Sequence, residues 1–345
     1  TVSESVTTTV SGHSDTEDEE SDTEDEEKGQ WTVNGDLTVQ AIPEYAATAK
    51  TSGAGDDQQD VSVSLLGVGF FKVNSTVTPT VKLEISDISL HVVGSSLIET
   101  NLDSGNITEA RSGSGALVGG DAAKATSVNS PKVALTTAGL NLTTQKASFR
   151  NVVQGVYNTN ANSVYATAVG GSTATATNTS EPQVGLNLNQ GTVIDATGSV
   201  LLESDVAFVG IGGGDSIESS SFMARVGGGG LVSGFGGKVD TTFTVSGWDG
   251  DDSNNEDGDA GTQAVISLGE GVVITATQGG NIQVGSSARW ATDQLTHMGT
   301  GGAVNGASVN SLLTSTVTNE IELGSRVMLH APEGLIGIGT STNSV

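Results

Sequence analysis

The densest set of side chains able to do chemistry in this sequence is DGDDSNNEDGD at residues 249–259. Asp249, Asp251, Asp252, Asn255, Asp257 and Asp259 put oxygen ligands on a glycine-punctuated loop, and Ca²⁺ collects about six to eight such oxygens. The spacing is not that of an EF-hand. With Gly258 as the loop glycine, Ser253 takes the first ligand position and Ala264 the twelfth, where a bidentate Glu belongs. Neither this stretch nor GIGGGDSIE at 210–218 completes the calcium-binding nonapeptide. Two readings stand: a Ca²⁺ site and a solvated insertion loop.

Other chemistry is thinly represented. His13, His91, His297 and His330 stand apart, with no HExxH pair, and the chain has no Cys, so zinc and thiolate sites are not expected. No nucleophile elbow, phosphate loop or complete GxGxxG occurs, although 48 residues are Gly. An enzyme acting on polysaccharide needs converging carboxylates and benefits from sugar-stacking aromatics. Here the acids gather in tails and insertions, and Trp31, Trp248, Trp290, Tyr45, Tyr157 and Tyr165 are scattered. The sequence reads as that of a non-enzyme.

The elements that would carry any site are β-strands. Gly, Thr, Ser, Val and Ala dominate the 345 residues and aromatics are only 4%, which suits thin stacked β layers better than a thick globular core. Forty acidic against 13 basic residues give a net charge of −27, which disfavours nucleic acid and anionic lipid as partners. No apolar run approaches the roughly 20 residues of a membrane span. The chain starts at Thr1 without a leader, as expected of a processed secreted protein or of a piece of a longer one.

Four regions are expected. Residues 1–13 form a strand-like arm (TVSESVTTTV), and residues 14–30 an acidic spacer in which SDTEDEE occurs twice. Residues 31–185 and 186–345 form two β-repeat regions, the second with the Asp-rich insertion at 249–261. Three segments align: LNQGTVIDATGSVL from Leu188, LGEGVVITATQGGNIQV from Leu268 and LGSRVMLHAPEGLIGI from Leu323. Leu188, Leu268 and Leu323 then correspond, as do Ile194, Ile274 and Leu329, and Ala196, Ala276 and Ala331. These are expected to be stacked inward positions. A weaker copy begins at Gly35 (GDLTVQA, with Leu37, Val39 and Ala41 apolar) and another at residues 139–142. VNSTVTPTVKLEI at 73–85 resembles VNSLLTSTVTNEIEL at 309–323. Long hairpin-like excursions of small residues, such as SVYATAVGGSTATATNTS from Ser163, separate the short units, at periods of roughly 55 to 80 residues.

Motifs of the type GVVITATQGGNIQV, followed by GGAVNGASV-type alternation, resemble the repeat regions of large bacterial surface adhesins of the filamentous haemagglutinin and leukotoxin-like class. The resemblance covers residues 187–338 and, more loosely, 31–181. It implies a β-solenoid shaft exported to the cell surface for adhesion or matrix building; the acidic heptads and the Asp-rich insertion lie outside its pattern.

The expected fold is thus all-β, a repetitive β-solenoid or β-helix-like array. A β-sandwich fibre subunit with an exchanged N-terminal strand is the alternative. The expected function is that of an extracellular structural protein, a surface or matrix filament subunit or adhesin shaft. Its partners would be copies of itself and a host-surface or matrix polysaccharide, with no nucleic acid and no membrane insertion. Sequons at Asn74, Asn106, Asn141 and Asn178 are compatible with a surface location.

Overall fold

Alternation of apolar and polar residues over short runs dictates strands with one inward and one outward row. The TVKLEIS segment buries Val81, Leu83 and Ile85 and turns Thr80, Lys82 and Glu84 outward. The computed structural model describes residues 1–11, 29–50, 62–210, 222–250 and 265–344. It is all-β, with no helix among the described residues.

The chain runs through the same sequence of sheets six times. The first pass comprises β1 (Ser5–Ser11), β2 (Gly29–Val33), β3 (Leu37–Ala41), β4 (Glu44–Lys50) and β5 (Ser62–Val77). The second is β6 (Thr80–Ser86), β7 (Ile88–Val92) and β8 (Ser95–Asn129), and the third β9 (Lys132–Ala138), β10 (Asn141–Thr144) and β11 (Lys146–Ser180). The fourth is β12 (Gln183–Leu188), β13 (Val193–Ala196), β14 (Val200–Gly210) and β15 (Phe222–Gly247). The fifth is β16 (Ile266–Leu268), β17 (Val273–Ala276), β18 (Ile282–Ala291) and β19 (Gln294–Val317), and the sixth β20 (Ile321–Leu323), β21 (Met328–His330) and β22 (Ile336–Ser344).

Each pass lies parallel and in register on the next. A first ladder stacks β1, β6, β9, β12, β16 and β20; a second stacks β2, β7, β10, β13, β17 and β21. The third begins with β3, β8, β11, β14, β18 and β22 and continues as the long excursions β5, β8, β11, β15 and β19. Ser5 stands on Thr80, Thr80 on Lys132 and Lys132 on Gln183, while Leu186 stands on Ile266 and Ile266 on Ile321; the offsets are 75, 52, 51, 80 and 55 residues. The turn from first to second ladder passes through a left-handed residue at Asp87, Gly139, Gly191, Gly271 and Arg326. There the chain must change direction within a residue or two.

The expected repeat alignment is observed in the ladders. Leu188 pairs with Leu268 and Leu268 with Leu323; Ile194 pairs with Ile274 and Ile274 with Leu329; Ala196 pairs with Ala276. Leu142 of the 139–142 copy stands on Ile194. Three expectations need correction. GDLTVQA belongs to the second strand of the unit, since Leu37 stands on Ser96 in the third ladder. In the 73–85 and 309–323 pair, Ile85 falls in the row of Leu323, but Val73 falls in the row of Ser311, two residues from Val309.

The third concerns the excursions, which are not hairpins in the hydrogen-bonding sense. Each 35-residue strand β8 and β11 bonds to the passes beside it, and its outgoing and returning halves face one another through side chains. Ser163 Oγ lies 2.6 Å from Ser172 Oγ, and Asn129 Nδ2 donates to Ser104 Oγ at 3.1 Å.

The interior therefore has two textures. The three short ladders enclose large apolar groups, including Leu83, Ile85, Ile98, Leu135, Leu140 and Phe149, while the flattened lobe between the long walls holds Ala110, Ala125, Ala161, Ser163, Ala174 and Ser172. Between them lies a polar neck. Asn151 accepts from Thr100 Oγ1 at 2.7 Å and donates to the carbonyls of Gly185 at 2.9 Å and Val133 at 3.3 Å, pinning the third ladder to the first. Asn106 and Asn178 are fully buried in the lobe, and Asn106 Nδ2 donates to Val128 O at 2.8 Å, so these two sequons are closed to glycosylation in the folded chain.

At the lobe's tip a Cβ on Gly170 would sit 1.9 Å from the Gly119 carbonyl oxygen, whereas one on Gly234 would meet nothing within 4 Å. Gly170→Ala is therefore expected to destabilise the chain by about 2 to 3 kcal/mol through forced backbone movement, and Gly234→Ala to leave thermal unfolding nearly unchanged. Paired melting curves check this.

Candidate functional site

The expected Asp-rich ligand loop leaves the first ladder at a defined point. Gly247 pairs with Val184 and Ile266 with Leu186, so the segment between them is an insertion opposite Gly185. Asp249 is described; Asp251, Asp252, Asn255, Asp257 and Asp259 lie outside the described residues. So does most of the acidic 14–30 segment.

The insertion's first residues are anchored on the outer face of the first ladder. Trp248 is 2% exposed, its backbone N–H donates to Val184 O at 2.9 Å, and its backbone carbonyl accepts from Asn187 Nδ2 at 3.0 Å. The crossing fits because Gly185 carries no side chain: a Cβ there would lie 1.7 Å from the Trp248 oxygen. Lys82 Nζ and Lys132 Nζ sit 5.1 and 5.8 Å from the indole centroid, within cation–π range, and Lys82 also donates to Gly250 O. Nothing in the sequence joins these residues, because they come from three different passes.

The outer face of the third ladder carries a charge ladder. Gln40 Nε2 donates to Glu99 at 2.8 Å, and Arg150 bridges Glu99 at 3.0 Å and Glu203 at 2.9 Å. The Glu203 hydrogen bond, with Glu99 and Asp205 nearby, holds the guanidinium's pKa above its ordinary value. One strand pair further on, Arg289 pairs with Asp205 at 2.8 Å. A shallow groove beside this ladder is lined by Leu201, Glu203, Gln283, Val284 and Ile338 among others, and Glu203 is its one carboxylate. No group of three or more His, Asp or Glu able to hold a metal occurs among the described residues, and His91, His297 and His330 sit on separate strands.

The remaining candidate is the pair of stack ends. Rows that are closed inside the stack open on the last pass. Leu188 and Leu268 are 0% exposed but Leu323 is 45%; Ile282 and Val284 are covered but Ile336 and Ile338 are nearly half exposed. At the other end Val6, Val10, Val33, Leu37 and Val39 are only partly buried against the core. Just before β1, Val2 and Glu4 bond to the chain beneath through Thr76, Thr78 and Thr80. By the alternation of a parallel ladder, Ser5, Thr7 and Thr9 turn their N–H and C=O groups to the outer edge. The sequence marks these rows through their apolar periodicity but does not say which members lie at an end.

No protein-family model, no curated protein and no solved structure matches this chain.

A carboxyl group is buried inside the lobe. Asp121 is 5% exposed, and burial holds its carboxyl above the ordinary carboxylate range, against hydrogen bonds from Ser112 and the Ala122 N–H that act the other way. Through that raised window the folded chain keeps a proton that the unfolded chain has released, so stability falls as pH rises across it. Asp121→Asn removes the slope. Its melting temperature is expected to exceed that of the wild type at neutral pH, with the difference closing below about pH 4, as a pH series of thermal scans would show.

Proposed function

We propose that this chain is a β-solenoid structural protein of an extracellular surface or matrix, a filament subunit or adhesin shaft that extends by stacking end on end, and not an enzyme. The observation that carries the reading is the in-register parallel ladder whose apolar rows and backbone edges open at both ends of the described stack. A second copy placed on an end would continue three ladders at once, satisfying edge groups that otherwise depend on water. The resemblance to adhesin repeats supports a surface setting, and the net charge of −27 favours solubility in salty surroundings. Ca²⁺ held by the Asp-rich insertion and contact with polysaccharide belong to the same reading.

The exchanged-arm alternative has β1 leave its own chain to complete another. Its pairing with β6 of the same chain favours stacking instead. The test follows from the edge geometry. Thr7→Pro removes an outward N–H without touching a bond to β6, so the variant is expected to fold with unchanged circular dichroism. Wild type should form end-joined rods in negative-stain micrographs, and Thr7→Pro should remain as single short rods. Compact unjoined wild-type particles at high concentration would sink the reading.

A further inference from the structure

The lobe tips present a surface that neither the core nor end-stacking uses. At each turn of the excursion the chain places an aliphatic residue outward in the same row: Leu66 on Val118, Val118 on Val169, Val169 on Val232 and Val232 on Val304. The three inner members are covered by strands on both sides and are still 44, 46 and 48% exposed, and Leu117 and Leu231, one residue earlier, are more exposed still. Five strands at about 4.8 Å spacing make a straight ridge about 19 Å long. Two residues past the ridge runs a row of almost bare backbone: Gly120 pairs with Gly171, Gly171 with Gly234 and Gly234 with Gly306. On the first pass the same row holds Val68, so the groove runs beside four of the ridge's five members at the same pitch.

We infer that this ridge pairs with the ridge of a second copy of the chain, the valine row of one entering the glycine row of the other, so that rods associate side by side. Three features of the surface select that partner. A row of in-register aliphatic knobs matches another β stack of the same repeat, as in a dry interdigitated zipper, and matches little else. The tip is also free of charge in a chain of net charge −27. Residues 112–120, 151–180, 226–237 and 298–319 contain no Asp, Glu, Lys or Arg, and Asp121, next to the tip, is buried. Two such tips can approach without the repulsion felt elsewhere on the surface. Finally, the same stretches lack the Lys, Arg and Trp that would hold a lipid surface.

Val169 is the middle member of the row, so in parallel or antiparallel pairing it lies beside its own copy, each seated next to the other's Gly171. The sequence contains no Cys, which makes a single introduced thiol diagnostic. The test uses the full chain in a Thr7→Pro background, so that it does not depend on end-stacking. Val169→Cys is treated with a bis-maleimide able to bridge packed β faces about 10 Å apart, with the exposed Gln283→Cys on the third ladder as control. A covalent dimer through Cys at 169 and none through 283 is expected. In sedimentation experiments, the triple variant Val118→Asp, Val169→Asp, Val232→Asp should associate at least tenfold more weakly than its parent, with the same circular dichroism. Equal cross-linking at both positions, or unchanged association of the triple variant, would overturn the pairing. So would a monomeric parent that instead binds phosphatidylcholine vesicles through the ridge.

Discussion

Everything in this chain depends on one constraint: a backbone N–H or C=O removed from water must find a partner, and here the partner is the neighbouring pass. Parallel in-register stacking satisfies that requirement along the stacking direction for every strand, whatever the outline of the cross-section. The outline is then free to include a compact three-sided core and a thin lobe. It need only repeat, and the left-handed corner residues and the Asn151 neck make it repeat at the same points.

The composition follows from the same constraint. A lobe only two walls thick has little room for large side chains, so most of its buried positions hold Ala, Ser, Thr and Asn, and Tyr165 and Phe235 fit near the tip where Gly119 and Gly228 leave space for them. Phe149, Phe208 and Phe243 sit in the wider space, where Phe208 and Phe243 pack with ring centroids 5.8 Å apart. Buried polar side chains are tolerable because the walls bring partners opposite them, as with Ser163 and Ser172. Sparse aromatics and abundant Gly, Thr and Ser are what a narrow interior demands.

How much of this was legible depends on how tightly each position is held. The Leu188, Leu268, Leu323 and Ile194, Ile274, Leu329 rows could be read from sequence because three short ladders leave no alternative side chain at those points. GDLTVQA was misplaced because both short strands of the unit present the same alternation, and only the pairing partner distinguishes them. Buried sequons at Asn106 and Asn178 were illegible, since an inward Asn bonded to a facing wall looks in sequence like an exposed one. The Trp248 anchor was hidden for a related reason: its lysines come from passes far away in the chain. The Asp-rich segment was conspicuous, and its chemistry rests on residues beyond the described ones.

The long excursions also have a mechanical meaning. Hydrogen bonds between passes point along the stacking axis, so tension along the stack is shared at each junction by all the bonds of that junction in parallel. A junction built from four-residue strands alone, like β10 on β13, would give way at small loads. The β8 to β11 junction adds 35-residue strands to the same cross-section and the same axial rise. The lobe thus adds hydrogen bonds to each junction without lengthening the stack, at the expense of more chain per step.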